Sequence, residues 1–178
     1  MKKLLVVLFL SQFALLHGQD QKAATLRSIL LEQLRSTHHQ KEWFVPVDVA
    51  VEGLTAKQAA WKDKSGNHSI NELVNHLTFW NQRQLEKFKG QKSAPFDGNN
   101  EETFNKSLDS AGWAAAVEKL DAILTEWERA VEQADEHKLQ SWASTIAHIG
   151  AHNAYHIGQI VQIRRLQGAW DPEKGVKS

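Results

Sequence analysis

SWASTIAHIGAHNAYHIGQIVQIRRLQG, residues 141 to 168, is the stretch whose reading decides the fold. Trp142, Ile146, Ile149, His156, Ile160 and Ile163 recur at three- and four-residue steps, with His152 or Asn153 filling the remaining place. That is the apolar stripe of one long helix, closed by Gly168 and followed by Pro172. Gly150 and Gly158 lie inside it, each costing about 0.5 to 1 kcal/mol relative to alanine. Close approach of a neighbouring helix, or room for a histidine cluster, is the expected compensation. A helix striped in this way needs partners, and the rest of the chain supplies them.

Working outward, three further stretches carry helical period and none carries strand-like alternation. A first helix is expected from Lys22 to His38, striped by Leu26, Ile29, Leu30 and Leu34. A long irregular connection, EWFVPVDVAVEGLTAKQAAWKDKSGN, follows, with one short helical turn at TAKQAAW. The second helix opens on the capping box SINE, in which Ser69 and Glu72 satisfy each other's backbone amides, and runs to Lys89. Ile70, Leu73, Leu77, Trp80 and Phe88 form its stripe, and His76 lies on it. A second connection, GQKSAPFDGNNEETFNKSLDS, leads to a third helix from Ala111 to Ala134, with Trp113, Val117, Leu120, Leu124, Trp127 and Val131 in its seam. DEHKLQ reads as the short link to the fourth. Four such stripes cover one another as an all-α four-helix bundle, and the two long connections are expected to be crossovers.

Composition bounds what this fold can do. The 178 residues, 42% hydrophobic and 24% charged, suit a single domain with a real core. The opening MKKLLVVLFLSQFALLHGQD has the basic start, apolar run and small residue of a signal peptide over residues 1 to 18, leaving a domain over 19 to 178. An uncleaved anchor is the alternative, but Ser11 and Gln12 interrupt an apolar run already shorter than the roughly 20 residues a spanning helix needs. An exported protein, periplasmic or extracellular and without a stable membrane anchor, is the expectation. No cysteine is present, which excludes a disulfide, a lipidated cysteine and thiol chemistry by the protein itself. The 21 Lys and Arg match the 21 Asp and Glu, and loss of Lys2 and Lys3 with the leader leaves a slight acidic excess. A nucleic-acid partner is therefore not expected.

The fourth stretch also carries the chemistry. His152 and His156 are four residues apart on one helix face and point to the bundle axis, where His76 can supply a third imidazole. Imidazole suits zinc, nickel, copper and iron(II), and three protein ligands leave coordination positions open, as catalytic sites do. The alternative is a set of hydrogen-bonded core histidines, although burying several imidazoles without a shared partner is costly. His148 lies about 12 Å of rise from His156, too far for the same pair, and is placed with Trp80 as a pocket or supporting residue. Tyr155 is turned about 100 degrees from His156, towards a neighbouring groove. His38, His39, His68 and His137 read as surface residues, and Arg164 and Arg165 as solvated charges at a helix end or as anion contacts. The seven tryptophans read mostly as core.

NELVNHLTFW, followed far downstream by HIGAHNAYHIGQIVQIRRLQGAW, resembles the DinB-like (damage-inducible) superfamily of metal-binding four-helix bundles, over roughly Leu26 to Trp170. The resemblance implies crossover connections and one divalent metal, most often zinc or nickel, with iron or manganese as the other candidates, held by His76, His152 and His156. Characterised relatives include transferases that use bacillithiol or mycothiol, and an isomerase that uses mycothiol. The leader sets this chain apart from those cytosolic thiols. The resemblance carries over no catalytic residue beyond the ligands, and related bundles often pair as homodimers.

Two functions follow as expectations. The first is a metal-dependent hydrolase or group transferase acting on a small molecule. The second is a noncatalytic bundle that binds a metal or small ligand. The paired Glu-x-x-His motifs of di-iron bundles are absent, and HNAYH has no glutamate after its first histidine, unlike zincin proteases.

Overall fold

The computed structural model describes residues 23–104 and 108–176. The expected leader lies outside the described residues. Six α-helices form, with no strand among the described residues: α1 (Leu26–His38), α2 (Val47–Val51), α3 (Ala56–Ala59), α4 (Ile70–Phe88), α5 (Ser110–Gln133) and α6 (Glu136–Leu166). A 3-10 segment at Asn100–Phe104 lies between α4 and α5, and another at Pro172–Lys174 follows α6. No helix among the described residues is long and apolar enough to cross a membrane.

Capping sets most of the boundaries. The Ser69 hydroxyl accepts from the Glu72 amide at 3.3 Å while the Ser69 amide donates to Glu72 at 2.8 Å, the reciprocal pair read from SINE. Thr25 with Ser28 and Thr55 with Gln58 cap α1 and α3 in the same way. DEHKLQ is not a link: Asp135 caps α6 through the Lys138 amide at 2.8 Å, and this first turn buries Leu139 completely. Gly168, at φ +69°, lies just past the other end of the same helix and closes it.

α1 packs against α5 and α6, and α4 packs against the same two helices. The core forms two apolar clusters. One gathers Ile70, Leu73, Leu77, Leu120, Ile157 and Ile160 with α2 and α3, and the other gathers Leu30, Leu34, Leu85, Trp127, Ile146 and Ile149. On α1 the buried face is Leu30, Leu31 and Leu34, with Ile29 turned outward. Of the tryptophans, Trp113 and Trp127 are buried, whereas Trp43 stands in solvent.

Polar side chains occupy the border between the clusters. There the amides of Asn81 and Asn153 bond reciprocally, at 2.8 and 3.2 Å, tying α4 to α6 with both residues almost fully buried. The Asn81 amide also donates to the Leu77 carbonyl, and its own backbone carbonyl accepts from Trp127. Each buried polar group is thereby satisfied, as burial demands. The register of α4 against α6 follows from this pair.

Candidate metal centre

Register brings His76 from α4 to His152 and His156 from α6. One nitrogen from each lies within 4.8 Å of the other two. His76 and His156 are buried, and His152 is half-buried. The ring centroids lie 4.6 to 5.0 Å apart, so three imidazoles face a common point.

Hydrogen bonding fixes how two of these rings present themselves. Thr103 donates its hydroxyl proton to the Asn100 carbonyl at 2.6 Å, so towards His76 Nδ1, 2.5 Å away, it accepts. His76 therefore carries its proton on Nδ1 and leaves the Nε2 lone pair free. His156 Nδ1 lies 2.7 Å from the Gln159 side-chain oxygen, an acceptor, and so leaves Nε2 free as well. His152 Nε2 lies 3.0 Å from His76 Nε2, so the two nitrogens border the same point. Metal-binding histidines are oriented by such outer-nitrogen partners, so the donor set and its supports fit a divalent ion.

Electrostatics agree. Burial, then repulsion from His156 and His152, pushes His76 down to about 3. Burial, then His156, takes His152 to about 4, and burial lowers His156. All three are neutral lone-pair donors at ordinary pH, as coordination requires.

A cavity of about 640 Å³ opens on the cluster. His148 and Trp80 line it, together with Gln84, Thr145 and Tyr155. The Trp80 indole donates to Asn100 at 3.2 Å, and Tyr155 sits edge-on to His156 with ring centroids 4.9 Å apart. Tyr155 thus contributes to the cavity wall as well as to the neighbouring groove. Phe104 stacks on His76 at 4.0 Å, with His68 on its other face at 3.7 Å. No Lys, Arg, Asp or Glu lines the cavity among the described residues. The connection between α4 and α5 thus supplies Asn100, Thr103 and Phe104, none of which the sequence singled out. NEETF has no period that would place it against His76.

The family model of the DinB superfamily matches residues 47–160. The chain belongs to the DinB superfamily. No curated protein and no solved structure matches it. The matched span of this DinB-superfamily chain contains all three histidines, His148, Trp80 and the 3-10 segment at Asn100–Phe104.

Several residues lie elsewhere than the sequence suggested. Arg164 is buried and donates to the carbonyls of Ala50, Glu52 and Ala169 at 2.8 to 3.1 Å, joining the end of α2 to the end of α6. His38 is also buried, its ring bonded to Glu128 and Asp121. Gly150 is where α1 comes close: an added Cβ would lie 3.3 Å from Gln33 Oε1. Gly158 faces open space and has no such neighbour.

Proposed function

We propose that His76, His152 and His156 hold one divalent ion, zinc or nickel before iron or manganese, and that this exported DinB protein is a metal-dependent hydrolase or group transferase of a small molecule. One observation carries the reading: three neutral imidazoles, two with their outer nitrogens committed to Thr103 and Gln159, meet at the floor of an accessible cavity. A divalent ion bound there supplies Lewis-acid polarisation of water or of a substrate heteroatom. Asn100 and Gln84 offer amide contacts to a substrate, while Trp80, Phe104 and Tyr155 offer apolar faces. Because no ionised side chain among the described residues lines the wall, the substrate's body is neutral and its polar head is directed to the three histidines.

The four long helices are read as a four-helix bundle. α1 and α4 each border α5 and α6, so the stretch joining α1 to α4 crosses the end of the bundle. Export is inferred from the leader-like opening of the sequence, and a homodimer from the family resemblance.

The test is metal analysis of the purified protein beside His152→Ala. Loss of one bound ion per chain, with helicity unchanged, supports the site. Equal metal content in both proteins overturns it. Turnover of candidate esters, amides and thiol conjugates by the loaded protein, absent after chelation and restored by metal, then separates catalysis from binding alone.

A further inference from the structure

Away from the cavity, the last residue of α1 enters a second cluster. His38 is 4% exposed, and each ring nitrogen meets a carboxylate: Nδ1 lies 2.6 Å from Glu128 Oε1 and Nε2 lies 2.8 Å from Asp121 Oδ1. Asp48 Oδ1, on α2, lies 3.9 Å from the same Nε2. The two sides of the ring differ. Glu128 is also approached by Arg35 at 3.5 Å and by His39 at 3.2 Å, so its charge is balanced. Among the described residues the ion pairs of Asp48 and Asp121 are with His38 alone.

We propose that His38 Nε2, Asp48 and Asp121 form a second divalent-cation site, with Glu128 orienting His38 through Nδ1. One imidazole with two carboxylates suits the manganese-to-zinc series better than calcium or magnesium, which prefer oxygen alone. The carboxylate-to-histidine contact at Nδ1 is the support that metal-binding histidines ordinarily have. His38, Asp48 and Asp121 offer donor atoms within 4.8 Å of one another. Access is independent evidence. A recess of about 520 Å³ reaches Asp48 and Asp121 from solvent, also lined by Glu52 and Glu118 and, among the described residues, by no basic side chain.

The proton balance is explicit. With no ion bound, both ring nitrogens face acceptors, so His38 carries two N–H protons and a positive charge. Binding at Nε2 releases one proton to solvent and leaves the other on Nδ1, donated to Glu128.

Zinc titration of the tag-free protein beside Asp48→Asn/Asp121→Asn tests this. Both carboxylates are partly exposed, so the double variant removes charge without emptying the core. The expected result is one ion more in the parent, bound at least about tenfold more tightly than any residual binding in the variant, with about one proton released when the heat is compared in two buffers. Equal stoichiometry overturns the site. Should the variant fail to fold, excess Mn²⁺ added to the metal-free parent protein gives a second reading. Broadening of the amide signals of His38, Ala50 and Asp121 supports the site, and broadening confined to the surroundings of His76 and His152, or none, overturns it. Neither readout depends on whether the three-histidine site binds metal.

Discussion

Thr103 decides which nitrogen His76 offers to the cavity. Its hydroxyl is already committed to the Asn100 carbonyl, so it can only accept from the imidazole. Thr103→Val keeps the shape and removes the acceptor. Metal affinity is expected to fall about 10- to 100-fold, read by competition with a chelator, with helicity unchanged. Thr103→Ser should restore it, and an unchanged affinity in the valine variant would mean that stacking on Phe104 alone orients the ring. The three histidines are legible in the sequence because helical spacing places them. Thr103 and Gln159 are not equally legible. Gln159 lies three residues beyond His156 and had a local signal, whereas Thr103 reaches His76 only after its segment has folded as a 3-10 turn.

The α6 helix shows what its two internal glycines are for. At Gly158 nothing lies within 4 Å of an added Cβ, so Gly158→Ala is expected to stabilise by about 0.5 to 1 kcal/mol through helix propensity. Gly150→Ala must displace the Gln33 side chain on α1 and forfeits part or all of that gain, a contrast that paired denaturant titrations would reveal. At the end of the same helix, Arg164→Met strips the carbonyls of Ala50, Glu52 and Ala169 of their guanidinium donor. A loss of about 2 to 3 kcal/mol is expected, lowering the thermal midpoint by about 5 to 10 °C. A fall of less than 1 °C would mean that water replaces the guanidinium. All four long helices were legible from periodicity. α2 was not, because VDVAV between Pro46 and Gly53 is too short to show a period, and with α2 hidden the role of Arg164 was hidden too.

At the scale of the whole molecule, histidines set opposing limits on stability when no ion is bound. His76 and His152 stay neutral in the fold down to about 3 and about 4, whereas unfolded they take up protons below about 6.5. Their contribution is complete above that value and declines as the pH falls through this window. His38, whose contacts with Asp121 and Glu128 outweigh burial and raise its pKa, does the reverse: its contribution is complete below 6.5 and is lost as the pH climbs through its raised value. The thermal midpoint of the metal-free protein should therefore peak near neutrality, and flattening of the alkaline limb in Asp121→Asn would trace that limb to His38. A midpoint that rose steadily to pH 9 would exclude it. The 3-10 segment between α4 and α5 bears on the molecule in another way. One wall of the cavity comes from a connection and not from the helices that carry the histidines. Selection can therefore rewrite that wall by exchanging or lengthening one loop, leaving the three-histidine floor as it is, so proteins with the same three histidines are free to diverge in the compounds they accept.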